Sequence, residues 1–153
     1  VRCSGIGVHS GQPVSLTLKP GQPDSGYIFI RSDIESNNLI LGRYDCVTET
    51  QLCTKLTNAA GISISTVEHV IAALAGSHVS NAVIEVSGPE VPIMDGSSAI
   101  FSQLIEQVGT KPQNAVVRNL KILKPIRVTS GQSYAEFIPS DDRLITMTFD
   151  AHG

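Results

Sequence analysis

The sequence predicts an α+β fold: a layered sheet-and-two-helix domain followed by the opening strands of a second, similar domain. Three observations carry that prediction. Short early segments alternate apolar and polar residues at the strand period, and two later segments place apolar residues at the helical period between start and stop signals. Beyond residue 114 strand-like segments return with no helix after them. The boundary this implies gives a first domain over 1–114 and the truncated start of a second over 115–153.

Taken in order, Val14, Leu16 and Leu18 alternate with Ser15 and Thr17, and Lys19-Pro20-Gly21 closes the run, as in a half-buried strand that ends in a turn. A second strand at Tyr27 to Arg31 follows Pro23-Asp24-Ser25-Gly26. Between Ser32 and Asn58 the pattern weakens to small irregular strands near Leu39 to Leu41 and Cys46-Val47. Ser65-Thr66-Val67-Glu68 then reads as a capping box, with Gly76 as the stop of a helix that buries Val67, Val70, Ile71 and Leu74. Asn81 to Val86 is a compact strand. After the turn-rich 88–96 segment, Ser97 or Ser98 caps a second helix with Ile100, Phe101, Leu104, Ile105 and Val108 inward and Gly109 at its end.

Residues 110–114 read as a linker. Strand-like Val116-Val117, Ile122-Leu123, Ile126 to Val128, Tyr134 to Ile138 and Leu144 to Phe149 follow it. Gly131-Gln132 through Ala135, Phe137 and Pro139 echoes Gly11-Gln12 through Leu16, Leu18 and Pro20, so the second part begins as the first does. The opening at Val1-Arg2-Cys3 without an initiator Met, and the end at Ala151-His152-Gly153, read as a piece cut from a longer chain.

Composition narrows the function. With 41% hydrophobic and 16% charged residues the chain has the makings of a packed core, yet its apolar runs fall far short of the roughly 20 residues of a transmembrane segment. No signal peptide pattern opens it. The net charge of −3 argues against nucleic acid as a partner, since phosphate binding draws on clustered Lys and Arg. Residues 1–110 carry five basic and ten acidic side chains, and 111–153 carry six and four. Arg118, Lys121, Lys124 and Arg127 therefore read as a solvated strand edge. Cys3, Cys46 and Cys53 are odd in number and lack CxxC spacing, which fits reduced thiols in the cytoplasm.

The chemistry concentrates at Glu68-His69. A carboxylate beside an imidazole in the first turn of a helix can serve a metal-activated water with a base next to it. From these residues alone, a cap residue followed by an ordinary partly exposed histidine is the commoner arrangement. No second ligand lies at helical spacing, because Ser65 and Ala73 flank His69 at four residues on either side. His78 would sit roughly 13 Å along the helix, and His152 lies at the interrupted end. His9 lies among glycines in Gly5-Ile6-Gly7-Val8-His9-Ser10-Gly11, and Asp95 before Gly96 reads first as a turn and cap residue. These residues reach an α+β domain with an incomplete polar site.

Three segments together carry a resemblance: Gly5 to Gly11, Ser65-Thr66-Val67-Glu68-His69 with Ala72 to Gly76, and Gly88-Pro89-Glu90-Val91-Pro92-Ile93-Met94-Asp95-Gly96-Ser97-Ser98. In this order and spacing the chain closely resembles the UDP-3-O-acyl-N-acetylglucosamine deacetylases, zinc enzymes of lipid A biosynthesis in Gram-negative bacteria. The resemblance implies a cytoplasmic amidohydrolase that removes the N-acetyl group of a UDP-linked, 3-O-acylated glucosamine. It further implies Glu68 as catalytic general base, His69 as one zinc ligand, and Leu52 and Cys53 as substrate contacts, with the role of His9 open. The family's other two zinc ligands, its general-acid His and its acyl-chain passage belong to a C-terminal domain missing here. The expectation is that 1–153 alone is inactive and binds zinc weakly. Two other classes stand beside it: a related-fold dehydratase or small-molecule kinase, and a noncatalytic interaction module.

Overall fold

The computed structural model describes residues 1–117 and 119–149. Arg118 and the terminal stretch with His152 lie outside the described residues. The chain divides into two compact units, Val1–Val117 and Arg118–Gly153.

In the first unit β1 (Arg2–Ile6) and β2 (Pro13–Pro20) pair as an antiparallel hairpin, with Gly5 opposite Val14. β3 (Tyr27–Arg31) pairs antiparallel with the short β4 (Leu39–Leu41). A 3-10 turn at Tyr44–Cys46 leads to a small antiparallel sheet of β5 (Val47–Glu49), β6 (Lys55–Thr57) and β7 (Ser63–Ile64). Helix α1 (Glu68–Gly76), β8 (Ala82–Val86) and α2 (Ala99–Val108) complete the unit.

β8 inserts between β2 and β3, giving the order β1-β2-β8-β3-β4. It runs antiparallel to β2 and parallel to β3. A parallel pair demands a long crossover, and here the crossover from Arg31 to Ala82 contains the small sheet and α1. The site-bearing turn before α1 therefore belongs to a connection anchored at both ends in one sheet.

Alternation decides which face of that sheet is covered. Val14, Leu16 and Leu18 of β2, Phe29 of β3, Ile40 of β4 and Ile84 and Val86 of β8 are all buried, and they join Val70, Ala73 and Leu74 of α1 and Phe101 and Ile105 of α2 in one apolar cluster. The two helices pack on each other. Each fully buried Leu, Ile or Phe contributes about 1.5–3 kcal/mol by leaving water. Arg31 ties the main sheet to the small one: its guanidinium grips both oxygens of Asp33 at 2.9 and 2.7 Å and donates to the Ser63 carbonyl at 2.7 Å.

The α+β class and the strands at 14–18, 27–31 and 39–41 agree with the sequence reading. Three local expectations do not. The capping box does not form: α1 starts at Glu68, its N-cap is Val67 with no side-chain bond, and Ser65 is instead held in a parallel bridge to Glu90. Gly76 ends α1 from inside the helix. The left-handed residue of its C-terminus is His78 (φ 56), with Val79 N–H on the Leu74 carbonyl and His78 N–H on that of Ala75, a Schellman arrangement. Val108 does not face the core but is 60% exposed, because the buried stripe of α2 runs through Phe101 and Ile105 and has turned away by the last residue.

In the second unit, among the described residues, only β9 (Ile126–Ser130) and β10 (Ser133–Phe137) are strands. Ile122-Leu123 and Leu144 to Phe149 are not, nor is Val116-Val117 at the end of the first unit, since a strand exists only where a neighbour takes its backbone hydrogen bonds. The hairpin turns on Gly131-Gln132, with a positive φ of 58 at the glycine, and Arg127 pairs across it with Glu136 at 2.9 Å. Lys121 and Lys124 lie outside strands, so of the described basic residues in that series only Arg127 sits on one. No helix among the described residues is long and apolar enough to cross a membrane.

Candidate active site

Glu68 and His69 occupy the first two positions of α1, and both are half-exposed. Glu68 lies where the positive end of the helix favours a carboxylate. Its Oε2 accepts the Thr54 N–H at 3.0 Å, while the Thr54 carbonyl accepts the Val67 N–H at 3.5 Å. The loop that carries Leu52 and Cys53 is thereby fastened to the start of α1. Leu52 adopts a left-handed φ of 63 and is 85% exposed, and Cys53 is half-buried.

A cleft of about 330 Å³ opens beside this loop, lined by His9, Glu49, Gln51, Leu52, Cys53, Lys55 and Ser65. It brings His9 together with Leu52 and Cys53, three residues far apart in sequence. Glu68 and His69 are not part of its lining but adjoin it through Thr54 and Ser65.

The turn that delivers α1 is built by a residue the sequence reading left inside a motif without a role. Glu90 is 2% exposed, and its carboxylate accepts three hydrogen bonds from two distant segments. Oε1 accepts the His9 N–H and the Thr66 hydroxyl, each at 3.0 Å, and Oε2 accepts the Ser10 N–H at 2.9 Å. Burial alone would push this carboxyl up, but the His9 and Ser10 amides and the Ser10 and Thr66 hydroxyls together hold it below the usual carboxylate range. Gly7 has no alternative here, since an added Cβ would collide with the Glu90 carboxylate.

Thr66 is itself unusual. It is buried and sits at φ 60, a left-handed conformation that costs a β-branched residue about 1–2 kcal/mol. Its neighbours hold it there: Ser65 N–H donates to the Pro89 carbonyl at 2.9 Å and Val91 N–H to the Ser65 carbonyl at 3.0 Å. Ile93 N–H donates to the Ile6 carbonyl, so the 5–11 loop also lies along the 88–96 segment. The three sequence segments that stood out thus meet at one place, joined through Glu90.

Asp95 behaves as a turn residue. Its Oδ1 accepts the Ser97 N–H at 3.0 Å and the Ser97 hydroxyl at 2.9 Å. The Ser97 bonds hold its carboxyl below the usual carboxylate range, with a smaller pull from the His69 imidazole. His78 is exposed at the far end of α1. Among the described residues no three His, Cys, Asp or Glu side chains cluster as a metal site. The three cysteines are unpaired.

Sequence reasoning missed Glu90, Thr66 and Thr54. A signal existed for Glu90, an acidic residue set between prolines and Val91 in an otherwise apolar segment. None existed for Thr54, which acts through its backbone.

Comparison with known proteins identifies the family. The family model for UDP-3-O-acyl N-acetylglycosamine deacetylase matches residues 1–153. Similar curated proteins named UDP-3-O-acyl-N-acetylglucosamine deacetylase include one from Histophilus somni, 42% identical over 98% of this chain and 49% of its own length. Others come from Shewanella loihica, 44% identical over 91% of this chain and 45% of its own, and Vibrio cholerae, 45% identical over 91% and 46%. The chain spans about half the length of the curated relatives it matches. It belongs to the UDP-3-O-acyl N-acetylglycosamine deacetylase family.

Proposed function

We infer that this chain supplies the first half of an amidohydrolase that cleaves the N-acetyl group from UDP-3-O-acyl-N-acetylglucosamine, yielding acetate and a free 2-amine for lipid A biosynthesis in a Gram-negative cytoplasm. The observation that carries this reading is the adjacent carboxylate and imidazole, half-exposed at the start of α1 and tied by Thr54 to the loop beside the cleft. The names of the relatives supply the substrate. Three free cysteines fit a reducing compartment.

In this reading Glu68 is the general base. Its Oε2 is occupied by the Thr54 amide, which fixes the carboxylate plane and leaves Oε1 to take a proton from the water that attacks the acetamide carbonyl. His69 is a zinc ligand. A single half-exposed imidazole with no three-residue cluster around it fits one corner of a tetrahedral site, and the remaining ligands fall to the portion of the relatives that this chain does not span. Zinc, when bound, polarises the scissile carbonyl and makes water acidic enough to react near neutral pH. Leu52, Cys53 and His9 border the cleft, and in this reading Leu52 and Cys53 meet the substrate there.

The test is acetate release from the UDP-sugar by the full-length protein. Glu68→Ala and His69→Ala each lower turnover by about 10²-fold or more, and purified residues 1–153 give none. Wild-type turnover in either variant, or full activity in the isolated piece, overturns the reading.

A further inference from the structure

Among the described residues Glu90 is the one buried carboxylate that touches both the His9 loop and the turn before α1. A carboxylate is otherwise an expensive group to bury, and a lone structural bond would not require one. Its two oxygens do what no other side chain could do in that space. Oε1 takes both the His9 amide and the Thr66 hydroxyl, and Oε2 takes the Ser10 amide. Both acceptors are necessary, because two of the three donors are backbone N–H groups that cannot reverse their polarity. A glutamine would present its NH₂ to one of those amides in either orientation.

The consequence reaches the site through Thr66. That residue holds a left-handed φ of 60 two positions before Glu68, and a β-branched side chain leaves that conformation unless something retains it. The Thr66 hydroxyl bond to Glu90 is the side-chain contact that retains it. Resting on the deacetylase reading above, we propose that Glu90 is a positioning residue: it locks Thr66 in the left-handed turn that launches Glu68 and His69, and with the same carboxylate fixes the His9 loop along the cleft. Glu90 touches no reacting atom. It acts by setting where the base and the ligand stand, and displacements near 1 Å in such groups cost about 10²-fold in rate.

The experiment uses the full-length enzyme, with kcat and KM normalised to the folded fraction by circular dichroism. Glu90→Gln lowers kcat about 10- to 100-fold with KM within about twofold. Thr66→Val, which keeps the shape and loses the hydroxyl, does the same. The double variant is no worse than the poorer single one, because both break one connection. Thr66→Gly, which takes a positive φ with no hydroxyl to hold it, recovers at least about fivefold over Thr66→Val. A purely structural Glu90 would lower only the folded fraction, leaving kcat per folded molecule at the wild-type value, and that result overturns the proposal. Multiplying effects in the double variant, or Thr66→Gly no better than Thr66→Val, also overturn it. If Glu90→Gln does not fold, the Val and Gly variants at 66 decide. Glu68→Ala in the same assay separates the two claims: an active Glu68→Ala removes the deacetylase reading and this proposal with it. An inactive one beside a wild-type Glu90→Gln removes the proposal alone.

Discussion

The two helices of the first unit begin in opposite ways. Before α2, Asp95 Oδ1 holds the Ser97 amide and hydroxyl, and the Ser97 hydroxyl oxygen accepts the Ala99 N–H at 3.1 Å. The whole device spans five residues and is largely solvated. Before α1 no side chain caps the helix, and the preceding turn is buried, left-handed at Thr66 and held by Glu90 across 24 residues and, through the same carboxylate, by a loop 80 residues away. A helix start that only has to exist can be made locally. One that, in the proposed function, must deliver two reactive groups to a fixed point is built here from tertiary contacts.

That contrast predicts unequal responses to mutation. The largest is at Glu90: Glu90→Gln breaks charge-assisted buried bonds and destabilises the protein by about 1.5–3 kcal/mol, read as a fall in the urea midpoint. It also changes the acid limb. The folded-state carboxyl lies below its ordinary value, so its contribution is complete at pH above the usual carboxylate range and is lost as pH falls through the lowered value. Urea midpoints measured from neutral pH downward therefore fall less steeply in Glu90→Gln than in wild type. An equal slope would show that the carboxylate is not the group that titrates.

At α2 the effect is smaller. Ser97→Ala removes the bonded hydroxyl and costs about 0.5–1 kcal/mol, with kcat unchanged, since this turn carries no base. The C-terminus of α1 sharpens the comparison from the other side. Space beside Gly76 is open and its backbone is helical, so Gly76→Ala raises stability by about 0.5–1 kcal/mol in the same urea assay. A loss there would mean that the glycine is needed as the stop.

The sequence made the strands and helices legible wherever burial follows a period. β2 shows this with Val14, Leu16 and Leu18 inward, and α1 with Val70 and Leu74. It misled where one local pattern competed with a distant partner. Ser65 and Glu68 have the spacing of a capping box, but Ser65 is taken by the bridge to Glu90 and Glu68 by the Thr54 amide. Thr66 gave no warning, because threonine is a poor candidate for a positive φ and is held there by a residue that no local window contains. The second unit makes the same point from its strands. Ile122-Leu123 and Leu144 to Phe149 have strand composition, yet among the described residues only β9 and β10, which find each other across Gly131, form strands. Of the site, Glu68-His69 and the His9 loop could be picked out by residue type, whereas the carboxylate that joins them stood out only as an acidic residue in an apolar segment, with nothing local to show what it binds.

In the proposed function two neighbouring side chains divide the labour, the proton to Glu68 and the metal to His69. The most direct test is to measure bound zinc and acetate release together in the full-length protein for Glu68→Gln and His69→Ala. Glu68→Gln is expected to keep about one zinc per chain while losing turnover, and His69→Ala to lose both. Zinc and turnover retained in His69→Ala, or undiminished turnover in Glu68→Gln, would contradict that division.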